Sequence, residues 1–329
     1  MLPARVEKYD IHPDFALKVT PYSTPATVRL AASLVAIANR IIPLPDGYLS
    51  RKTWLKSLDG THFPVEIVWP ENIDRPAACL VYYHGGGFVL GNNPLQERLF
   101  LRIAENVPFV LVMPGYRLAP DHPFPAGVED CYATLLWVAR YASRIGIDRS
   151  RIAVAGDSAG GGLAAAVTQM ARDKKGPAIC LQILLYPVTD CSMTTESANL
   201  FTDTPVWNSV ANRKMWEFYL NGWEGPVSPY ASPMHAGSLA SLPPAYVETA
   251  EFDPLHDEGI EYARRMVAEG VEVTLHETKR TVHGYDIIKM NEIVEESLAL
   301  RTQAIKKAFH QSAAESLFDT LDALSGSIS

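Results

Sequence analysis

Apolar positions along this chain follow two rhythms. At 77–83, 108–114, 151–155, 179–186, 245–249 and 271–276 they form short, nearly continuous runs bounded by turn formers. Strands buried on both faces have this pattern. At 95–105, 127–141, 254–269 and about 291–309 the spacing predicts helices. Residues 63–69 alternate towards a further strand. Near the start, Ser23-Thr24-Pro25 can cap and open a helix. Val28, Ala31, Leu34, Ile37 and Ile41 then recur every three or four residues, so residues 1 to about 45 are expected to be helical and partly amphipathic.

Buried strands alternating with helices predict an α/β fold, a mostly parallel sheet with helices on both faces. Residues 192 to about 240 break the alternation, with a helical stretch at 208–221 and many aromatics but no strand-like run. This reads as an insertion over the sheet, so residues 1–329 are expected to form one domain.

Composition narrows the partners. The 329 residues are 47% hydrophobic and carry a formal net charge of −8. That charge argues against nucleic acid or an anionic membrane surface as partner. The first ten residues lack a signal-peptide core, and the most apolar long stretch, 28–44, contains Arg29, Asn39 and Arg40. No membrane span is therefore expected, and the cytoplasm is the expected location. Cys79, Cys131, Cys180 and Cys191 show no metal-ligand spacing, so they read as reduced thiols with no zinc site.

The chemistry centres on Gly156-Asp157-Ser158-Ala159-Gly160, set between the apolar run 151–155 and the helix-like Leu163-Ala-Ala-Ala-Val167. A serine in a G-x-S-x-G turn between strand and helix is a nucleophile elbow. Its glycines permit the sharp turn that lifts Ser158 clear of the sheet. A serine hydroxyl needs a base, and the base needs an orienting carboxylate. Where such an elbow carries this relay, the chain order is serine, acid, histidine.

Five histidines follow the serine: His235, His256, His276, His283 and His310. His276 falls in a strand run and His310 beyond the last expected helix. His235 and His256 leave no room for a strand-end acid ahead of them. His283, in a loop after the last strand, is the base this order selects. Asp253 ends the strand before it, fixed by Pro254, and is the matching acid. Asp257 and Glu258 read as helix-start charges that complement the helix dipole, and Asp157 as a structural turn residue.

Ester cleavage also needs backbone N–H groups for the oxyanion. Ala159 at the helix start and the glycines of His84-Gly85-Gly86-Gly87-Phe88 can supply them. Neither glycine-rich turn has the spacing of a phosphate-binding loop. His84 reads as a loop brace.

With Ser158, Asp253, His283 and His84-Gly-Gly-Gly together, the chain resembles the hormone-sensitive-lipase-like (bacterial family IV) carboxylesterases of the α/β-hydrolase superfamily. Gly115-Tyr-Arg-Leu-Ala-Pro-Asp-His-Pro-Phe-Pro-Ala126, Leu185-Tyr186-Pro187 and Asp253-Pro-Leu-His-Asp-Glu-Gly259 extend the resemblance from about residue 77 to the C-terminal helix. It implies an α/β-hydrolase fold with a helical cap built from about 1–45 and about 192–240. It also implies Gly86 and Gly87, with Gly85 included beside them, joining Ala159 in an oxyanion hole. Hydrolysis of short- to medium-chain acyl esters through an acyl-enzyme is implied, with no metal or organic cofactor. Homodimers are common among such relatives.

Two other functions share these features. An amidase or deacetylase would use the same machinery, and a non-catalytic ligand receptor can occupy the same fold. Receptors typically lose the histidine or the acid, and both are present here. Trp207, Trp216, Phe218, Tyr219 and Trp223 either line the acyl pocket or pack the cap's own core.

Overall fold

The computed structural model of the chain describes residues 8–17 and 25–326. Among the described residues eight strands form one sheet in the order β1-β2-β4-β3-β5-β6-β7-β8. These are β1 (Tyr48–Lys56), β2 (His62–Pro70), β3 (Ala77–Tyr83), β4 (Phe109–Pro114), β5 (Ile147–Asp157), β6 (Leu181–Leu185), β7 (Ala245–Phe252) and β8 (Val273–Val282). β1 pairs antiparallel with β2, and β2 with β4; every other pair is parallel. The parallel strands β3, β4 and β6 are buried along their whole length, which is why they read as unbroken apolar runs. β1 lies at the sheet edge and is mostly exposed.

The helices are α1 (Pro25–Ile41), α2 (Pro94–Asn106), α3 (Ala126–Ile145), α4 (Ala159–Asp173), α5 (Glu196–Leu200), α6 (Ser209–Tyr219), α7 (His256–Ala268) and α8 (Glu292–Gly326). Successive side chains of β3 point to opposite faces, as pleating requires. Cys79, Val81 and Tyr83 join the core under α3, α4 and α7, while Ala78, Leu80 and Tyr82 join the core under α2 and α8. Among the described residues no helix is long and apolar enough to cross a membrane.

Several elements depart from the sequence reading. Residues 9–17 are not helical beyond a single turn at Pro13–Phe15, because a residue before proline disfavours the helical region; Tyr9, Ile11 and Phe15 are buried there instead. The rest of 1–24 lies outside the described residues. The apolar stripe of α1 does not face the core: Leu30, Leu34, Ile37 and Ile41 are 51–71% exposed. Periodicity defines a face but not what covers it. Finally, α8 continues to Gly326, so His310 lies within it rather than beyond it.

Candidate active site

Because β3, β5, β6, β7 and β8 run parallel, their carboxyl ends lie along one edge of the sheet, where open α/β sheets bind ligands. The residue immediately after each strand faces that edge: His84, Ser158, Tyr186, Asp253 and His283. Pairing of Phe252 with Val282 sets Asp253 and His283 side by side, although they are 30 residues apart.

Ser158 stands at φ 55°, ψ −121°, a conformation that L residues rarely hold. The turn is tight enough that a Cβ at Gly156 would collide with the Gly160 carbonyl, and one at Gly160 with the Tyr83 carbonyl. Those glycines are therefore obligatory.

The Ser158 Oγ–H donates to His283 Nε2 at 2.8 Å. The opposite ring nitrogen, Nδ1–H, donates to Asp253 Oδ2 at 2.6 Å. Asp253 is fully buried, and its Oδ1 accepts the Leu255 N–H at 3.0 Å, which fixes the carboxylate. Three side chains chosen from the sequence are thus brought into one hydrogen-bonded line.

Gly86 and Gly87 adopt φ +107° and +62°, and Phe88 follows at +60°, curling bare backbone towards Ser158. The N–H of Ala159, first residue of α4, has no intrahelical acceptor. Gly85 corrects one expectation. Its N–H donates to Asp157 Oδ1 at 2.9 Å, so it is already committed and is not an oxyanion donor. Asp157 Oδ1 also accepts from the Tyr82 hydroxyl at 2.5 Å. Asp157 is therefore more than a turn residue, because it clamps the glycine loop to the elbow. Burial and the nearby Asp286 push its carboxyl up to about 6, against the lowering hydrogen bonds from Tyr82 and Gly85.

His84 donates from Nδ1 to the Gly85 carbonyl at 2.8 Å and stacks on Tyr116 at 4.2 Å. Burial lowers its imidazole to about 4, so it is neutral near pH 7 and braces the loop.

Sequence reasoning missed the support behind His283. The Tyr186 ring meets the imidazole edge-on at 4.9 Å. Its hydroxyl donates to Asp286 Oδ1 at 2.8 Å. The Arg301 guanidinium donates to Asp286 at 2.8 Å and to Glu248 at 3.0 Å, all three side chains being buried. Burial opposes charge on Glu248, but Arg301 and the tyrosine hydroxyls hold it below the usual carboxylate range. Leu185-Tyr186-Pro187 was visible as a motif; nothing in the sequence tied Arg301 to it.

A cavity of about 180 Å³ opens at Ser158 and His283, lined by the glycine loop, Val35 of α1, and Val206 and Trp207 of the insertion. Of the five aromatics, Trp207 lines it. Trp216 and Tyr219 are buried in the core, Tyr219 stacking on Phe88 at 3.7 Å. Phe218 packs beside Val89, and Trp223 stands edge-on to Phe124.

The chain belongs to the alpha/beta hydrolase fold family, whose profile matches residues 80–287. Within it the chain is a hormone-sensitive-lipase-like carboxylic ester hydrolase. It is 40% identical over 235 residues to Esterase LipI of Mycobacterium tuberculosis, covering 70% of this chain and 73% of that one. It is 34% identical over 247 residues to an ethyl acetate hydrolase of Pseudomonas putida, covering 74% and 77%. Among solved structures it resembles a bacterial heroin esterase with TM-score 0.85 and 37% identity, covering 91% of this chain and 98% of that one.

Proposed function

We propose that the chain is a serine carboxylesterase that cleaves short- to medium-chain acyl esters through an acyl-enzyme. The observation that carries this reading is the line Ser158 Oγ–His283 Nε2, 2.8 Å, and His283 Nδ1–Asp253 Oδ2, 2.6 Å. His283 takes the serine proton as Oγ attacks the ester carbonyl, and Asp253 stabilises the imidazolium that forms. The backbone N–H groups of Gly86, Gly87 and Ala159 hold the oxyanion. Collapse of the intermediate expels the alcohol, which takes its proton from His283. Water, deprotonated by the same imidazole, then frees the acid.

Of the expected cap segments, the described residues 25–45 and 192–240 act as a cap over a single catalytic domain, supported by Val35, Val206 and Trp207 at the cavity wall. The cavity's small volume favours short acyl groups over long ones. Esters outrank amides because the relatives' names are those of ester hydrolases.

Ser158→Ala is expected to cut aryl-ester turnover by about 10⁶, the usual scale for losing such a nucleophile. Near-parental activity in that variant would sink the assignment. Across a series of p-nitrophenyl esters kcat/KM should peak at short or medium acyl chains, and a maximum at long chains would overturn the size argument.

A further inference from the structure

The insertion that carries Val206 and Trp207 leaves the sheet after β6 and returns ahead of β7. At the point where its two stems meet, three side chains of different donor chemistry converge. Cys191 Sγ lies 3.9 Å from His235 Nε2, and that nitrogen lies 3.1 Å from Asp190 Oδ1. The three donor atoms all lie within 4.8 Å of one another.

We propose that Asp190, Cys191 and His235 form a site for a zinc-like divalent cation that clips the stems of the insertion together. Zinc takes thiolate at about 2.3 Å and imidazole at about 2.0–2.1 Å in a tetrahedron, which sets sulfur and nitrogen about 3.5 Å apart. The observed sulfur–nitrogen separation of 3.9 Å is slightly longer than that, so the side chains need to close up by a small movement. The fourth position faces outward, since His235 is exposed, and water fills it.

The frame is already built. The Cys191 N–H donates to Ser232 Oγ, Ser232 Oγ–H to the Thr189 carbonyl, and the Met234 N–H to the same carbonyl. Glu258 Oε1 accepts both the Thr189 and Asp190 N–H groups, fixing the other side. The Val188 N–H donates to the Ser158 carbonyl at 3.0 Å, so this stem is continuous with the elbow.

Binding balances simply. The Cys191 thiol loses its proton to solvent as the metal–sulfur bond forms. The His235 proton now shared with Asp190 moves to Nδ1, freeing Nε2. A dication over one thiolate and one carboxylate leaves a neutral centre. Cys191 and His235 bracket residues 192–234, so the ion restrains the loop that forms part of the cavity wall. Spacing analysis misses such a site because its ligands are 44 residues apart.

The test is titration of the full chain with ZnCl₂ and with CoCl₂. We expect one tight equivalent, a near-ultraviolet thiolate-to-cobalt band, release of about one proton per ion, and slower amide exchange across 192–234. Cys191→Ser should abolish the band, and His235→Asn should weaken binding at least tenfold, with ester turnover in metal-free buffer retained by both. Should Cys191→Ser fail to fold, the His235→Asn titration decides alone. Absence of the band in the parent, or parental affinity in His235→Asn, would overturn the proposal.

Discussion

Asp157 joins the two parts of the site that must not drift apart. Its Oδ1 holds the Gly85 N–H of the glycine loop while its own backbone leads into Ser158. The cost is a half-buried carboxylate, raised from 3.8 to about 6 chiefly by desolvation. Between those values the folded chain holds a proton that the unfolded chain has released, so this group's contribution to stability falls as pH rises from about 4 to 6. Asp157→Asn keeps the accepting oxygen and removes the titration. Urea midpoints taken across that range should therefore decline less with pH in the variant than in the parent. Parallel slopes would contradict the account. Gly85 carries a related lesson: a triple glycine could be read as backbone meant for an oxyanion, but the sequence could not say that its first N–H is already bound. Ser158, Asp253 and His283, which the structure joins by hydrogen bonds, were legible because each follows a strand with its own local signal. Trp207 was not separable from its aromatic neighbours, since lining a cavity and packing a core use the same side chains.

At the scale of elements, the buried ion network ties the histidine loop to β7 and α8. Arg301 balances Glu248 and Asp286, and Asp286 in turn fixes Tyr186 against His283. Removing one partner of a buried ion pair leaves an uncompensated charge, at a cost of about 3–5 kcal/mol. Arg301→Met should therefore lower unfolding stability by that order in urea denaturation; a loss under about 1 kcal/mol would show that Arg301 carries little of the network. This arrangement was illegible beforehand because its partners lie 15 and 53 residues from Arg301. The elements themselves were readable. Strands buried on both faces announce themselves as apolar runs, whereas β8 ran past its expected end at 276 to Val282 because its burial is partial and its pattern mixed.

For the whole molecule, parallel pairing aligns the carboxyl ends of six strands, β3 to β8, so residues distant in sequence meet at one edge. Strand-helix alternation foretold that edge. It could not foretell which surfaces of the helices above would be covered, and the α1 stripe is the clearest case. The central claim is that this edge delivers an acyl group to one particular hydroxyl. The most direct measurement is peptide mapping of the folded protein after stoichiometric treatment with a fluorophosphonate, with residual ester turnover followed in parallel. The account predicts a single adduct on Ser158, formed in proportion to activity lost. Full inactivation with Ser158 unmodified, or full labelling of Ser158 with turnover intact, would contradict it.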